Sequence, residues 1–388
     1  MDEFELFRSN SGSVIKQYSL SFNMSQPQYF TFPDSYLRDF STQVFIHFGV
    51  PEKEAQQASA VLSKADLRGI DSHGVARLRT YVDMFKIGRI NPKPNIKIVR
   101  EKKSIATVDG DSGLGLVVGP KANEIAMEKA SQFGSGWISV CNTNHYGIAS
   151  YYSLKALERD MIGWSMTNSS RIVVPLWGAE RRLGTNPIAI AFPGFKNPPI
   201  VIDLATSVVA FGKVEIAKRA GKPIPEGWII DKDGNNTTRP EDVYSGGVLP
   251  LGATREMGGH KGYCLSAMVD ILCCVLSGAN WGPFAPPFAI FEEAPKESVG
   301  KGIGHFFGAM EIDGFEDVEV FKKRIDHWIE VFRKTKPIPG HDAVLIPGDP
   351  EHDAEKLRTK EGIPVIQAVV DDLKGIAKET GIPFKVEE

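Results

Sequence analysis

The sequence predicts an α/β protein in two lobes, one built on a sheet and one on helices drawn from both ends of the chain. Three observations predict it. The 388 residues exceed what a single hydrophobic core usually organises, and 42% of them are apolar, enough for a large interior. Between residues 105 and 202, short β-rich runs separated by glycine alternate with helical stretches. Before residue 105 and after residue 315, apolar side chains recur at helical spacing instead. The expected division is a flexible tail over 1–28, a helical lobe over 29–104 with 316–388, and an α/β lobe over 105–315.

Residues 1–28 mix Asp2, Glu3 and Glu5 with serine and asparagine, and lack the cationic start and apolar run of a secretion signal. They read as a tail, or as sequence ahead of a start at Met24. A helix follows over 34–50, with Leu37, Phe40, Val44, Phe45 and Phe48 on one side. Pro51 opens a second helix at a tolerated first position, with Ala55, Ala58, Val61, Leu62 and Ala65 inward. In the stretch 66–81, a helix capped by Ser72 would place His73, Arg77 and Tyr81 at i, i+4 and i+8 on one face, opposite Val75, Leu78, Val82 and Phe85. An imidazole, a guanidinium and a phenol presented together suit a substrate with a carboxylate and an adjacent oxygen. The same spacing fits a solvated polar face with an ordinary ion pair.

The β-rich runs are 105–108, 114–118, 136–141, 162–167, 188–192 and 200–202, with helices expected over 119–133 and 148–160. If the strands ending at Cys141 and Thr167 are parallel, residues 142–145 and 168–170 emerge at one sheet edge, where ligands collect. His145 sits in that turn, flanked by amides and by Tyr146, in a place suited to acid–base work or to a structural role. Residues 203–207, Asp-Leu-Ala-Thr-Ser, close a strand with a carboxylate and two hydroxyls fit for binding or for capping a helix. His260 and Lys261 lie between glycines at the start of a helix bearing Leu265, Met268, Val269, Leu272 and Leu276. Free first-turn N–H groups and a lysine there suit an anion such as a pyrophosphate; a solvated glycine-rich turn fits equally. Beyond Gly314, Val320, Phe321, Ile325, Trp328, Ile329 and Phe332 form an inward stripe. A last amphipathic segment over 366–376 is expected to return to the N-terminal helices.

A formal charge of −3 without a basic stripe points away from nucleic acid and anionic membranes, and toward small molecules. Cys141, Cys264, Cys273 and Cys274 form neither a disulfide framework nor a Cys-x-x-Cys pair, which suits a reducing, cytoplasmic setting. No apolar run reaches the roughly 18 residues of a membrane span. The Gly-x-Gly-x-x-Gly, P-loop, His-Glu-x-x-His and Gly-x-Ser-x-Gly patterns are all missing, so Rossmann, P-loop, zincin and serine-hydrolase readings lack support. His73, His145 and Asp203 could serve a metal-dependent hydrolase, but they lack the tight spacing of metal ligands, and no metal is expected. A non-catalytic ligand-binding protein is the other class to weigh.

Seven motifs stand in order: Asp71-Ser72-His73-Gly74, Asn144-His145-Tyr146-Gly147, Gly184-Thr185-Asn186-Pro187, Asp203-Leu204-Ala205-Thr206-Ser207, Ile224-Pro225-Glu226-Gly227-Trp228, Gly259-His260-Lys261-Gly262-Tyr263 and Ile346-Pro347-Gly348-Asp349-Pro350. Together they make the chain, from about residue 32 onward, resemble the type-2 malate/L-lactate dehydrogenase family, which includes sulfolactate and ureidoglycolate dehydrogenases. The resemblance implies an NAD(P)-dependent 2-hydroxyacid oxidoreductase, usually a homodimer. Its fold would be a three-layer, mixed-sheet nucleotide-binding lobe that is not Rossmann, joined to the helical lobe. It implies catalytic roles for His73 and His145, a carboxylate clamp at Arg77, and substrate contacts at Tyr81, Thr185 and Asn186. Cofactor contacts would fall at Ser169, Asp203, Leu204, Ala205, Lys261, Arg324, Ile325, Asp326 and Gly348. One departure is Cys264, where relatives usually carry glycine.

On this resemblance Arg77 holds the carboxylate, and an imidazole, by preference His145, takes the hydroxyl proton as hydride leaves C2 for the nicotinamide. The segment Gly340-His341-Asp342-Ala343-Val344-Leu345 looks most like the malate and lactate branch, which makes malate/oxaloacetate the expected pair. Asp326 would favour the free ribose hydroxyls of NAD, whereas Arg324 could accept the extra phosphate of NADP. NAD is the expectation.

Overall fold

The computed structural model describes residues 28–288 and 293–386. The tail expected over 1–28 lies outside the described residues, Gln28 excepted.

Chain order begins with β1 (Tyr29–Phe32), α1 (Asp34–His47), α2 (Glu52–Leu67) and α3 (Leu78–Lys86). The sheet region follows with β2 (Lys97–Lys102), β3 (Ile105–Gly113), α4 (Gly115–Phe133), β4 (Ser135–Thr143), α5 (Ser150–Leu157), β5 (Met161–Thr167), β6 (Ile188–Phe192) and β7 (Ile200–Leu204). Next come α6 (Phe211–Arg219), β8 (Ile229–Ile230), β9 (Asn236–Thr237), β10 (Gly247–Val248), α7 (Gly259–Asp270) and β11 (Ile303–Glu311). The chain closes with α8 (Val318–Arg333), α9 (Asp349–Glu361), β12 (Ile363–Ile366) and α10 (Gln367–Thr380).

Seven strands form the main sheet in the order β2-β3-β4-β11-β5-β6-β7, parallel only between β3 and β4. This is a mixed sheet, not the parallel sheet of a Rossmann domain. Because successive side chains leave opposite faces of a strand, burial partners reveal the layers. On β11, Phe307 joins the core beneath α4 and α5, while Phe306 joins Val269, Cys273 and Cys274 on the α7 side. On β4, Ile138 and Val140 face the first layer, and Trp137 and Cys141 the second. Helices therefore cover both faces, as the three-layer expectation requires.

The helical ends meet as expected: β1 pairs with β12 antiparallel, and α10 packs on α1 and α3. One continuous core joins these helices to the sheet, from Phe32, Leu37, Phe45, Leu62 and Leu78 through Leu116, Ile138 and Phe307 to Leu373 and Ile376.

Several expectations need correction. Residues 114–118, read as a strand, are the start of α4. Leu116 and Val118 are fully buried and Val117 nearly so, and a helix start enclosed on all sides carries the same apolar run as a buried strand. Of the apolar residues on α8, Ile329 is buried and Ile325 packs beside it, whereas Val320, Trp328 and Phe332 are exposed, so the inward stripe is narrower than expected. Strand β11, helix α9 and the small sheet β10-β8-β9 were not foreseen. β11 lies between β4 and β5 and antiparallel to both, so those two strands do run the same way and their following loops leave at one edge.

Candidate active site

The first half of the site is shaped by a buried carboxylate. Asp66, near the end of α2, accepts the Val75 N–H at 2.8 Å, and a Cβ added to Gly74 would lie 1.8 Å from Asp66 Oδ1. Burial raises its pKa to about 8, so the carboxyl holds its proton at neutral pH. The chain bends over this group in two short 3₁₀ turns, Asp71–His73 and Val75–Arg77, before α3 begins. The single helix capped by Ser72 is therefore not formed. Ser72 Oγ lies 2.9 Å from His73 Nδ1, and its carbonyl accepts from Arg77 Nε. From behind, Arg358 of α9 donates to the Asp66 carbonyl and pairs with Asp71.

The second half comes from the β4–α5 turn. Asn144 is buried and donates to the carbonyls of Ser112 and Gly113 at 2.9 and 3.0 Å, tying the chain just before His145 to the end of β3. Gly115, the first residue of α4, lies so close to the carbonyls of Asn144 and His145 that a Cβ would come within 2.1 Å of the former. Gly147, at φ +80°, turns the chain toward α5.

The two halves meet. The His73 and His145 rings stack with centroids 5.6 Å apart, and Tyr81 Oη lies 2.7 Å from His145 Nδ1. The Gly147 N–H also points at that Nδ1, at 3.3 Å. A backbone N–H can only donate, so Nδ1 carries a lone pair and the neutral His145 ring bears its proton on Nε2. Burial, then Arg77, lowers the His73 pKa to about 4. Burial first, then His73, Arg77 and His305, holds His145 well below the ordinary histidine value. Both rings are therefore neutral at pH 7.

Two residues here escaped the sequence reading. Phe288 packs on His145 with centroids 4.2 Å apart and on Tyr81 at 5.7 Å, and the Arg77 guanidinium lies 5.5 Å from its ring centre. It stands in an irregular segment with no periodic signal. His305 of β11 is fully buried, stacks on Tyr146 at 4.5 Å and meets Thr167 Oγ1 at 2.8 Å. The β-rich run around it was the available sign.

The residues expected at the cofactor collect mostly along β7. Ser169 Oγ bonds both the Thr185 hydroxyl and the Thr185 N–H, at 3.1 and 3.0 Å, while Thr206 donates its N–H to the Thr185 carbonyl at 2.8 Å. Leu251 N–H bonds the Thr206 carbonyl at 2.9 Å, and Gly262 of α7 packs on Leu251, which carries the first turn of α7 and its exposed Lys261 to the same edge. At the other end of β7, Val201 N–H bonds the Pro347 carbonyl at 2.9 Å, and Gly348, at φ +100°, lies against Val201. Ile325 packs with the cluster that includes Ile202. Asp203, Leu204 and Ala205 project from the exposed end of this strand. Hydroxyls, open backbone and a lysine at a helix start are a donor set that fits a dinucleotide.

Asn186 and Asp326 are placed otherwise than expected, and Asp203 takes up the capping use that the sequence left open. Asp203 accepts the Ser150 N–H at 3.0 Å and so caps α5, which leaves its second oxygen for a ligand. Asn186 is fully buried and donates to the Ser266 carbonyl at 3.0 Å, bracing α7 instead of lining the cleft. The Asp326 carboxylate accepts three N–H groups, from Phe195, Lys196 and Asn197 at 3.0, 2.7 and 3.2 Å, so it anchors that loop and is not free to grip a ribose. Arg324 is exposed and pairs with Glu316 at 2.6 Å. Among the described residues, no three histidine, cysteine or acidic side chains gather as a metal site would need.

Comparison with known proteins identifies the family. A family model described as malate/L-lactate dehydrogenase matches residues 32–374. Malate dehydrogenase of Pyrococcus horikoshii is 44% identical over 356 residues, covering 91% of this chain and 96% of that protein. L-sulfolactate dehydrogenase of Methanocaldococcus jannaschii is 41% identical over 335 residues, covering 86% of this chain and 93% of the relative. The crystal structure of malate dehydrogenase from Entamoeba histolytica superimposes with a TM-score of 0.86 at 34% identity, covering 92% of this chain and 99% of that one. With the family model spanning residues 32–374, a shared fold and nearly full coverage of its relatives, the chain belongs to the malate/L-lactate dehydrogenase family.

Proposed function

We propose that the protein interconverts malate and oxaloacetate with NAD, in a cleft between its helical lobe and its α/β lobe. The observation that carries this reading is the convergence of His145 with His73, Arg77 and Tyr81, which stand together in a segment some way earlier in the chain. The family match supports the reaction class, and the Pyrococcus relative supports malate. A sulfonate in place of the distal carboxylate, as in sulfolactate, is the second reading, supported by the Methanocaldococcus relative.

Arg77 grips the C1 carboxylate through the planar edge of its guanidinium. A nicotinamide held by the residues along β7 would supply the acceptor for the hydride on C2. The tautomer of His145 divides the work of the two imidazoles. With its proton on Nε2, His145 offers a hydrogen bond to the reacting oxygen, while Tyr81 and the Gly147 N–H hold its other face. His73 can donate Nδ1–H to Ser72 Oγ and keep a lone pair on Nε2, which makes it the group to accept the hydroxyl proton. The preference thus moves from His145 to His73. A carboxylate bound at Arg77 offsets the guanidinium charge that depresses His73, and so raises its basicity when substrate is present.

The ion pair between Arg324 and Glu316 competes with a 2′-phosphate and supports NAD over NADP. Four free cysteines support a reducing, cytoplasmic setting. We also assign a homodimer. Met268, Ile271, Val275 and Leu276 stand on one side of α7 and its continuation at 39, 54, 55 and 59% exposure, an apolar stripe that a second copy would cover.

Oxidation of NADH and of NADPH, followed by absorbance with oxaloacetate, pyruvate and sulfopyruvate in turn, tests substrate and cofactor together. The expected result is fastest turnover with oxaloacetate and NADH. Preference for sulfopyruvate would favour the second reading, and no turnover with any pair would defeat the assignment.

A further inference from the structure

Phe288 is the apolar side chain that ties the site together. Its ring touches His145 and Tyr81, and Arg77 lies over it, so it borders the proton-handling group and the carboxylate clamp at once. Its backbone is anchored on both sides of the cleft. The Phe288 N–H bonds Ser170 Oγ at 2.8 Å, at the sheet edge beside Ser169, and the preceding Pro287 carbonyl accepts from Arg89, just beyond α3. A ring held between two walls, with its faces spent on an imidazole and a guanidinium, is positioned and not merely filling space.

We propose that Phe288 is the specificity-determining wall of the substrate pocket: it restricts the group on C3 to a small one and keeps water from His145. The inference rests on the 2-oxoacid reading given above. The steric half follows from place. A carboxylate on Arg77 and an oxygen at the imidazoles leave the rest of the substrate beside this ring, so bulk there must displace it. The second half follows from contact. The groups facing His145 are His73 and Arg77 from the 3₁₀ turns, Tyr81 from α3, the Gly147 N–H and His305 from β11, none of which carries the negative charge that would favour an imidazolium. Burial is the largest cause of the depressed His145 basicity, and Phe288 supplies the closest ring to it.

The test uses Phe288→Ala and Phe288→Leu in the full chain. The readouts are kcat/KM for oxaloacetate, 2-oxoisocaproate and phenylpyruvate with NADH, and the His145 titration by NMR of histidine-labelled protein. Phe288→Ala is expected to raise the ratio of phenylpyruvate to oxaloacetate by about tenfold or more, the scale set by small volume changes in apolar pockets. It is also expected to shift the His145 titration upward, and Phe288→Leu should lie between the alanine variant and wild type in both. Either quantity unmoved in the folded alanine or leucine variant overturns the proposal. Should the wild type reduce none of these acids, the substrate reading falls on its own, and the His145 titration alone decides whether Phe288 shields the imidazole.

Discussion

At the scale of single residues, chemistry is set by which nitrogen holds a proton. His73→Ala is expected to lower kcat by about 10²–10⁴-fold, the usual worth of a general base. His145→Ala removes a hydrogen-bond donor and should cost about 10²–10³-fold. The pH profile separates the two roles. His73 must be unprotonated to act in malate oxidation, and its pKa is lowered to about 4, so the acid limb of kcat/KM should fall well below pH 6.5 and be lost in His73→Ala. An acid limb that survives unchanged in that variant would return the base assignment to His145. Arg77→Lys should raise KM with a smaller effect on kcat, because an ammonium cannot reproduce the planar fork; steady-state kinetics checks this. The site residues were legible through the seven motifs and not through spacing, since an imidazole in a strand-to-helix turn and a His-Arg-Tyr face serve structural roles equally well. The tautomer was not legible, because it depends on a Gly147 N–H and a Tyr81 hydroxyl arriving from separate elements.

At the scale of elements, the turn between α2 and α3 matters most. Gly74 is required here by close approach, not by positive φ: its φ is −88°, yet a Cβ would strike the Asp66 carboxyl. Gly74→Ala should therefore destabilise the fold by about 1–3 kcal/mol, as overpacking does, and raise KM as His73 and Arg77 shift. Thermal unfolding and kinetics together check it, and a fully stable variant with wild-type KM would remove Asp66 as the template of the turn. Periodicity placed the polar face of this segment correctly and its backbone incorrectly, since apolar spacing is blind to a buried acid that pulls the chain into 3₁₀ turns. Asp326 is the converse case. Its place in the helical pattern reads as solvent or ligand, whereas in the fold it is buried and three N–H groups of a loop about 130 residues earlier in the chain claim its oxygens.

For the whole molecule, association and acid stability are the measurable consequences. Replacing Ile271 and Leu276 together with lysine should convert the proposed dimer to monomers by sedimentation, because the substitution puts charge into the apolar stripe beside α7. A dimer that persists would place the contact elsewhere. His73 and His305 have folded-state pKa values lowered to about 4 and about 3 by burial, below the unfolded value of 6.5. The unfolded chain thus binds more protons, and stability should decline as pH falls from about 6.5 through 4 to 3, which acid titration of the melting temperature would detect. The sequence by itself determined the family, the α/β class and the return of the last helix to the first ones. Those rest on local pattern and on motifs that lie within a few residues. The tertiary structure decided that β11 separates β4 from β5, that Asn186 and Asp326 serve as braces, and that Phe288 closes over His145. Each depends on which groups a distant segment brings within hydrogen-bond or van der Waals reach, and spacing along one chain does not encode that.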